Sequence, residues 1–182
     1  MRLGLLLLIG MVSFGQSHAQ GVEVANPRIS LGITSSTSGI ELEVPITLTP
    51  TRDRQIGKIQ AEMTFPSQKL TFVKVAGYLA TEEDVKIQAN LLNPEPTGEN
   101  EEQGVLEVTL ESPAKPLPAG ILTMLVFQVS EDVRPEILSL GLKSRMWGFP
   151  DLSREITPVE SYEGRVSIQE AAVFFGCFFY MH

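Results

Sequence analysis

An all-β chain is predicted, folded as an antiparallel β-sandwich of about nine strands with jelly-roll-like topology. From Gly39 the chain reads GIELEVPITLTP, in which Ile40, Leu42, Val44, Ile46 and Leu48 alternate with Glu41, Glu43, Pro45, Thr47 and Thr49. A period of two puts every second side chain on one face of a strand, so this run is half-buried with its carboxylates in water. After Arg52-Asp53-Arg54 the alternation restarts with Ile59, Ala61, Met63 and Phe65, stops at Pro66, and resumes at Leu70-Thr71-Phe72. Strands joined by short polar turns mark an antiparallel sheet domain. The chain shows no internal repeat, heptad pattern or long helical period.

The predicted strands, in chain order, are 29–34, 40–49, 58–65, 70–75, 85–91, 105–111, 121–129, 137–143 and 162–168. Ser35-Ser36-Thr37-Ser38-Gly39 separates the first two, and residues 50–55 the next pair. Pro66-Ser67, residues 113–120 and residues 130–135 supply further turn chemistry, since Gly, Pro, Asn, Asp and Ser favour turn backbone. Residues 121–129 are apolar on both faces, as in a central strand covered on both sides; Gly120 and the β-branched and aromatic residues favour strand over buried helix. The longest polar stretch, LNPEPTGENEEQG at 92–104, is expected to be an exposed hairpin loop. Its carboxylates are hard-cation ligands in type, but no D-x-[DN]-x-[DN]-G spacing is present, so no metal is assigned. Within the loop 144–161, Trp147 is expected to cap the end of the core, with an exposed anchor as the alternative.

The ends read differently. Residues 1–19 combine Arg2, an apolar run and small residues at Ser17 and Ala19, the pattern of a signal peptide cleaved after Ala19. Residues 20–27 form an N-terminal segment, 28–168 the sandwich, and 169–182 an apolar tail. That tail holds Phe174, Phe175, Phe178 and Phe179. The run 171–182 is shorter than the roughly twenty residues that cross a bilayer. It reads as a remnant or a wrong chain end, with an interfacial membrane anchor as the alternative. Export is therefore expected, to the extracellular space or the cell surface, with membrane contact only through the tail.

Composition excludes several function classes. The net charge is −8, and losing residues 1–19 with Arg2 makes it −9. An acidic chain offers no electrostatic footprint for nucleic acid. Its single cysteine, Cys177, rules out an intrachain disulfide. His18 lies in the signal peptide and His182 at the terminus, so the sandwich has no histidine. Neither a Ser–His–Asp nor a Cys–His arrangement can be built inside it, nor a His/Cys zinc site. Ser112-Pro113-Ala114-Lys115 matches S-x-x-K, but in a Pro-rich turn without a K-T-G partner, which is a chance match. Paired carboxylates of the glycosidase type would draw on Glu41, Glu43, Glu107 and Glu111, yet alternation puts these on solvated strand faces. No catalytic residue, metal or cofactor is assigned.

A family resemblance rests on several of these segments. The alternating strand containing Val44-Pro45-Ile46, the strand bearing Gln60 and ending at Phe65, and Leu70, Phe72 and Val75 together resemble a cohesin domain. Gly120-Ile121-Leu122 leading into Leu125-Val126-Phe127-Gln128-Val129 agrees, as does the closing Gly164-Arg165-Val166-Ser167-Ile168. Phe65-Pro66 stands where cohesins tend to carry Tyr-Asp. The resemblance covers residues 28–168. It implies a non-catalytic module that docks the dockerin of a secreted enzyme, in an extracellular polysaccharide-degradation setting. It also implies a docking sheet built from the third, fifth, sixth and eighth predicted strands. The outward residues there are Lys58, Gln60, Glu62 and Thr64, then Lys86 and Gln88, then Glu107, Thr109 and Glu111, then Lys143. The competing readings are a structural or adhesion sandwich without a dockerin partner, and a carbohydrate-binding module. Sugar platforms usually need several exposed aromatics, and Trp147, Tyr78 and Tyr162 are few.

Overall fold

The computed structural model describes residues 26–77, 79, 84–92 and 102–170. The signal-peptide and tail expectations, Tyr78 and most of the 92–104 loop lie outside the described residues. The strands are β1 (Arg28–Leu31), β2 (Ile33–Thr37), β3 (Glu41–Thr49), β4 (Ile56–Pro66), β5 (Leu70–Ala76) and β6 (Lys86–Leu92). They continue with β7 (Gln103–Glu111), β8 (Gly120–Val129), β9 (Glu136–Gly148), β10 (Glu155–Ile156), β11 (Glu160–Tyr162) and β12 (Gly164–Gln169). One sheet runs β11-β1-β3-β8-β5 and the other β2-β12-β9-β4-β7-β6, with β10 added beside β9.

The core lies between the two sheets and follows the sequence alternation. Leu42, Val44, Ile46 and Leu48 of β3 are buried, as are Ile59, Ala61, Met63 and Phe65 of β4. Leu106, Val108 and Leu110 of β7 join them, with Leu125 and Phe127 of β8 and Leu138, Leu140, Leu142 and Met146 of β9. Interdigitation of the two inner faces gives the sandwich its stability, since no disulfide can contribute. Most pairings are antiparallel, as expected, but β1 with β11 and β2 with β12 are parallel.

Twelve strands stand among the described residues instead of about nine. The expected strand at 29–34 divides at Gly32, its first part joining one sheet and its second the other. Pro45 and Gly32 explain the division. Pro45 has no N–H to offer, so its carbonyl, accepting from Gly32 N at 2.9 Å, is the last bond between β3 and β1. A Cβ on Gly32 would lie 2.3 Å from Pro45 Cγ, so only glycine lets the backbone turn away there. The last expected strand divides in the same way at Glu163, into β11 and β12. Both segments thus change sheets side by side and close one edge of the sandwich. β2 also runs on to Thr37, so only Ser38-Gly39 remain of the turn expected at 35–39, and β9 continues five residues past Lys143 to Gly148 and gains β10 as a neighbour.

The expectation that both faces of β8 are covered needs correction. Leu122, Leu125, Phe127 and Val129 point inward, and Val126 is buried on the other side between Glu43 of β3 and Lys74 of β5. Ile121, however, is 51% exposed. Flanking side chains shield Val126, and the shielding does not extend to the end of the strand.

Candidate functional site

The four strands expected to carry the docking residues are contiguous, in the order β9-β4-β7-β6. Alternation puts Ile59, Ala61, Met63 and Phe65 into the core, so Lys58, Gln60, Glu62 and Thr64 must point out. Glu107, Thr109 and Glu111 of β7 do the same, with Lys86 and Gln88 of β6 and Lys143 of β9. All ten residues named from the sequence share one outer face.

Register arranges them into rows across the strands. The first row is Trp147, Lys58, Glu111 and Lys86, and the second Arg145, Gln60, Thr109 and Gln88. A third holds Lys143, Glu62, Glu107 and Asn90. The fourth, Gly141, Thr64, Val105 and Leu92, carries no charge. Beyond Thr64 and Gly141 the strands β4 and β9 part, leaving a cavity of about 340 Å³ bordered by Pro66, Gln103 and Ser139. An ion pair between Lys69 Nζ and Glu136 Oε2, 3.0 Å apart, adjoins it.

Polar groups on the face are paired with one another. Lys58 Nζ lies 3.2 Å from Glu111 Oε2, and Lys143 Nζ 3.8 Å from Glu62 Oε1. Gln60 Nε2 donates to Glu107 Oε2 at 2.8 Å. Glu62 and Glu107 are direct cross-strand partners, so two like charges face each other and each leans on a different neighbour.

Two functional candidates, Arg145 and Glu155, were missed in the sequence, and Trp147 takes the outward position that was the alternative reading. Arg145 and Trp147 follow Lys143 at steps of two along β9, and Glu155 pairs with Trp147 from β10. Extending the alternation past Lys143 would have found Arg145 and put Trp147 outside. A two-residue strand such as β10 has no period to read. Arg145 binds Glu155 through two hydrogen bonds of 2.8 Å. The hydrogen bond from Arg145, with its charge, holds the Glu155 carboxyl below the usual glutamate range, and Glu155 raises Arg145 in turn. Nearby, hydrogen bonds from the Ser153 hydroxyl and N–H lower the Asp151 carboxyl.

Trp147 does not cap the core. It is half-buried on the outer face, because Met146 takes the inward position beside it. Lys58 Nζ lies 5.5 Å from its ring centroid and Arg145 Cζ 5.2 Å. The S-x-x-K match offers no accessible nucleophile: Ser112 is fully buried and its N–H donates to Gly57 O at 2.8 Å. Among the described residues no cluster of three or more His, Cys, Asp and Glu side chains is placed to hold a metal. The arrangement is a broad, polar, self-paired protein surface with one aromatic.

No family model matches the chain, and no curated protein sequence matches it. Solved structures do. The third cohesin of ScaC in complex with the ScaB dockerin, from Acetivibrio cellulolyticus, is 22% identical, with a TM-score of 0.61 over 78% of this chain and 98% of that one. The seventh ScaB type I cohesin of Pseudobacteroides cellulosolvens is 14% identical, with a TM-score of 0.63 over 86% of this chain and 98% of that one. A non-cellulosomal cohesin from the hyperthermophilic archaeon Archaeoglobus fulgidus is 17% identical, with a TM-score of 0.58 over 80% of this chain and 93% of that one. At these identities the likeness is one of fold: the chain has the β-sandwich fold of cohesin domains.

Proposed function

We propose that this chain is a non-catalytic, exported binding module that docks a dockerin-like module of a secreted protein on the outer face of β9-β4-β7-β6. The carrying observation is that the ten residues named from the resemblance and the alternation lie in register on one contiguous face. The fold likeness supports the reading, since several of the solved relatives are cohesins in complex with dockerins. Lys58, Gln60, Glu62 and Thr64 form the middle of the surface, flanked by Glu107, Thr109 and Glu111, by Lys86 and Gln88, and by Lys143.

A polysaccharide-degrading enzyme is the partner this reading favours. The likeness to a non-cellulosomal cohesin favours a second setting, in which the same docking serves an assembly outside a cellulosome. Each dockerin-like module encoded in the source genome, purified and titrated against the exported chain, tests the proposal. Saturable binding by at least one supports it. No binding across the set would leave a structural or adhesion module as the better reading.

A further inference from the structure

We infer that this face recognises a protein surface bringing no net charge, and that Trp147, at the corner between β9 and β10, is its apolar anchor; the inference rests on the docking reading above. The chain carries a net charge of −8, yet the outward residues of β4, β6, β7, β9 and β10 balance, with Arg165 of β12 outside that count at the Ser139 edge. Lys58, Lys86, Lys143 and Arg145 offset Glu62, Glu107, Glu111 and Glu155. Each of those carboxylates has a partner within the face: Lys143 for Glu62, Gln60 for Glu107, Lys58 for Glu111 and Arg145 for Glu155. A charged partner group set against Glu62, Glu111 or Glu155 would have to open an ion pair and desolvate what remained, and the charges outside those pairs, on Lys86 and Glu107, are one of each sign. An uncharged contact leaves them intact.

Trp147 supplies what such a partner needs. Lys58 and Arg145 flank the indole, and Glu111 and Glu155 tether those two cations. A large aromatic held in place at a half-exposed position loses little freedom on binding, which is the character of an interface anchor. At the other end of the face the uncharged row begins, with Leu92 41% exposed. It continues along β9 to Ser139 and to Ile137, which is 68% exposed. The rows from Trp147 to Gly141 span three steps of two residues, about 20 Å along the strands. A helix of about thirteen residues has that length. An element of that length, apolar at the Trp147 end and without net charge along its contact line, is what this face would take.

Trp147 is the chain's single tryptophan, so its fluorescence reports this site alone. The experiment titrates the exported chain with the purified dockerin-like modules, following emission, at about 50 mM and about 500 mM NaCl, concentrations between which screening changes strongly. Binding should shift the emission to the blue, and Kd should change by less than about threefold between the two salts. Trp147→Ala should weaken binding by about tenfold or more, Trp147→Phe should restore most of it, and both should melt with the wild type. Binding that weakens more than about tenfold with salt would overturn the uncharged partner. Wild-type affinity in Trp147→Ala would overturn the anchor, while docking lost in Glu62→Arg/Glu107→Arg would still support the docking reading. A blue shift with cellohexaose and with no protein module would assign Trp147 to sugar and overturn the inference. Failure of every module to bind would overturn the docking reading itself, and this inference with it.

Discussion

Phe65 of β4 and Phe127 of β8 meet edge to face across the sandwich, their ring centroids 5.1 Å apart and their planes at 66°. Phe72 of β5 approaches Phe127 from its other neighbour at 5.7 Å. Phe127 is fully buried, so it ties the sheet that carries the candidate site to the opposite sheet. Edge-to-face pairs add to the free energy of burial. Phe127→Ala should therefore cost about 3–5 kcal/mol in chemical denaturation. A loss below about 1 kcal/mol would mean that the two sheets do not depend on this contact.

The change of sheet at Gly32 has its own consequence. Gly32→Ala would put a methyl group 2.3 Å from the Pro45 ring, which is rigid and cannot swing aside. Strain of this kind costs about 1–3 kcal/mol, and thermal unfolding should register it. A variant as stable as the wild type would show that β1 and β2 do not pass Pro45 this closely.

Protonation should loosen the Trp147 corner only in acid. Arg145 holds the Glu155 carboxyl below the usual glutamate range, so the ionised form is favoured in the folded chain. A carboxylate with a lowered folded pKa contributes stability above its unfolded pKa, and that contribution disappears as pH falls through the folded pKa. Glu155 lies at the surface, where solvent screens the pair, so the effect is local. Carboxyl NMR should show Glu155 titrating below the usual glutamate range, and Arg145→Ala should return it to that range. Titration in the ordinary range in the wild type would argue against the pair.

Much of this was legible in the chain itself. The two-residue period of β3, β4 and β7 assigns inward and outward side chains without a structure, and from it came the face residues of β4 and β7. Where the physics is not local, the sequence was silent. Residues 29–34 read as one strand because nothing in their own alternation reveals that Pro45, in another strand, ends the pairing at Gly32. Glu155 sits in a strand of two residues, too short for a period, and it depends on β9 for its place. Trp147 was misplaced because its size suggests burial. Its inward neighbour Met146 already fills the core position, and the step of two from Lys143 puts the indole outside.

Reversing the charge at the centre of the face is the sharpest test of docking. Glu62 and Glu107 are direct cross-strand partners with their side chains outside the core. The double variant Glu62→Arg/Glu107→Arg exchanges one like pair for another, so its fold should lose less than about 1 kcal/mol. A docking partner without net charge would then have to bury two unpaired arginines, with the Lys143 and Gln60 contacts broken, and desolvating them costs several kcal/mol of affinity at an interface. The decisive measurement is calorimetric titration of a dockerin-like module that binds the wild type, paired with a melting curve of each protein. Binding should vanish while the melting temperature stays near the wild type's. Unchanged affinity in a folded double variant would contradict docking on β9-β4-β7-β6 and move the interface to another surface.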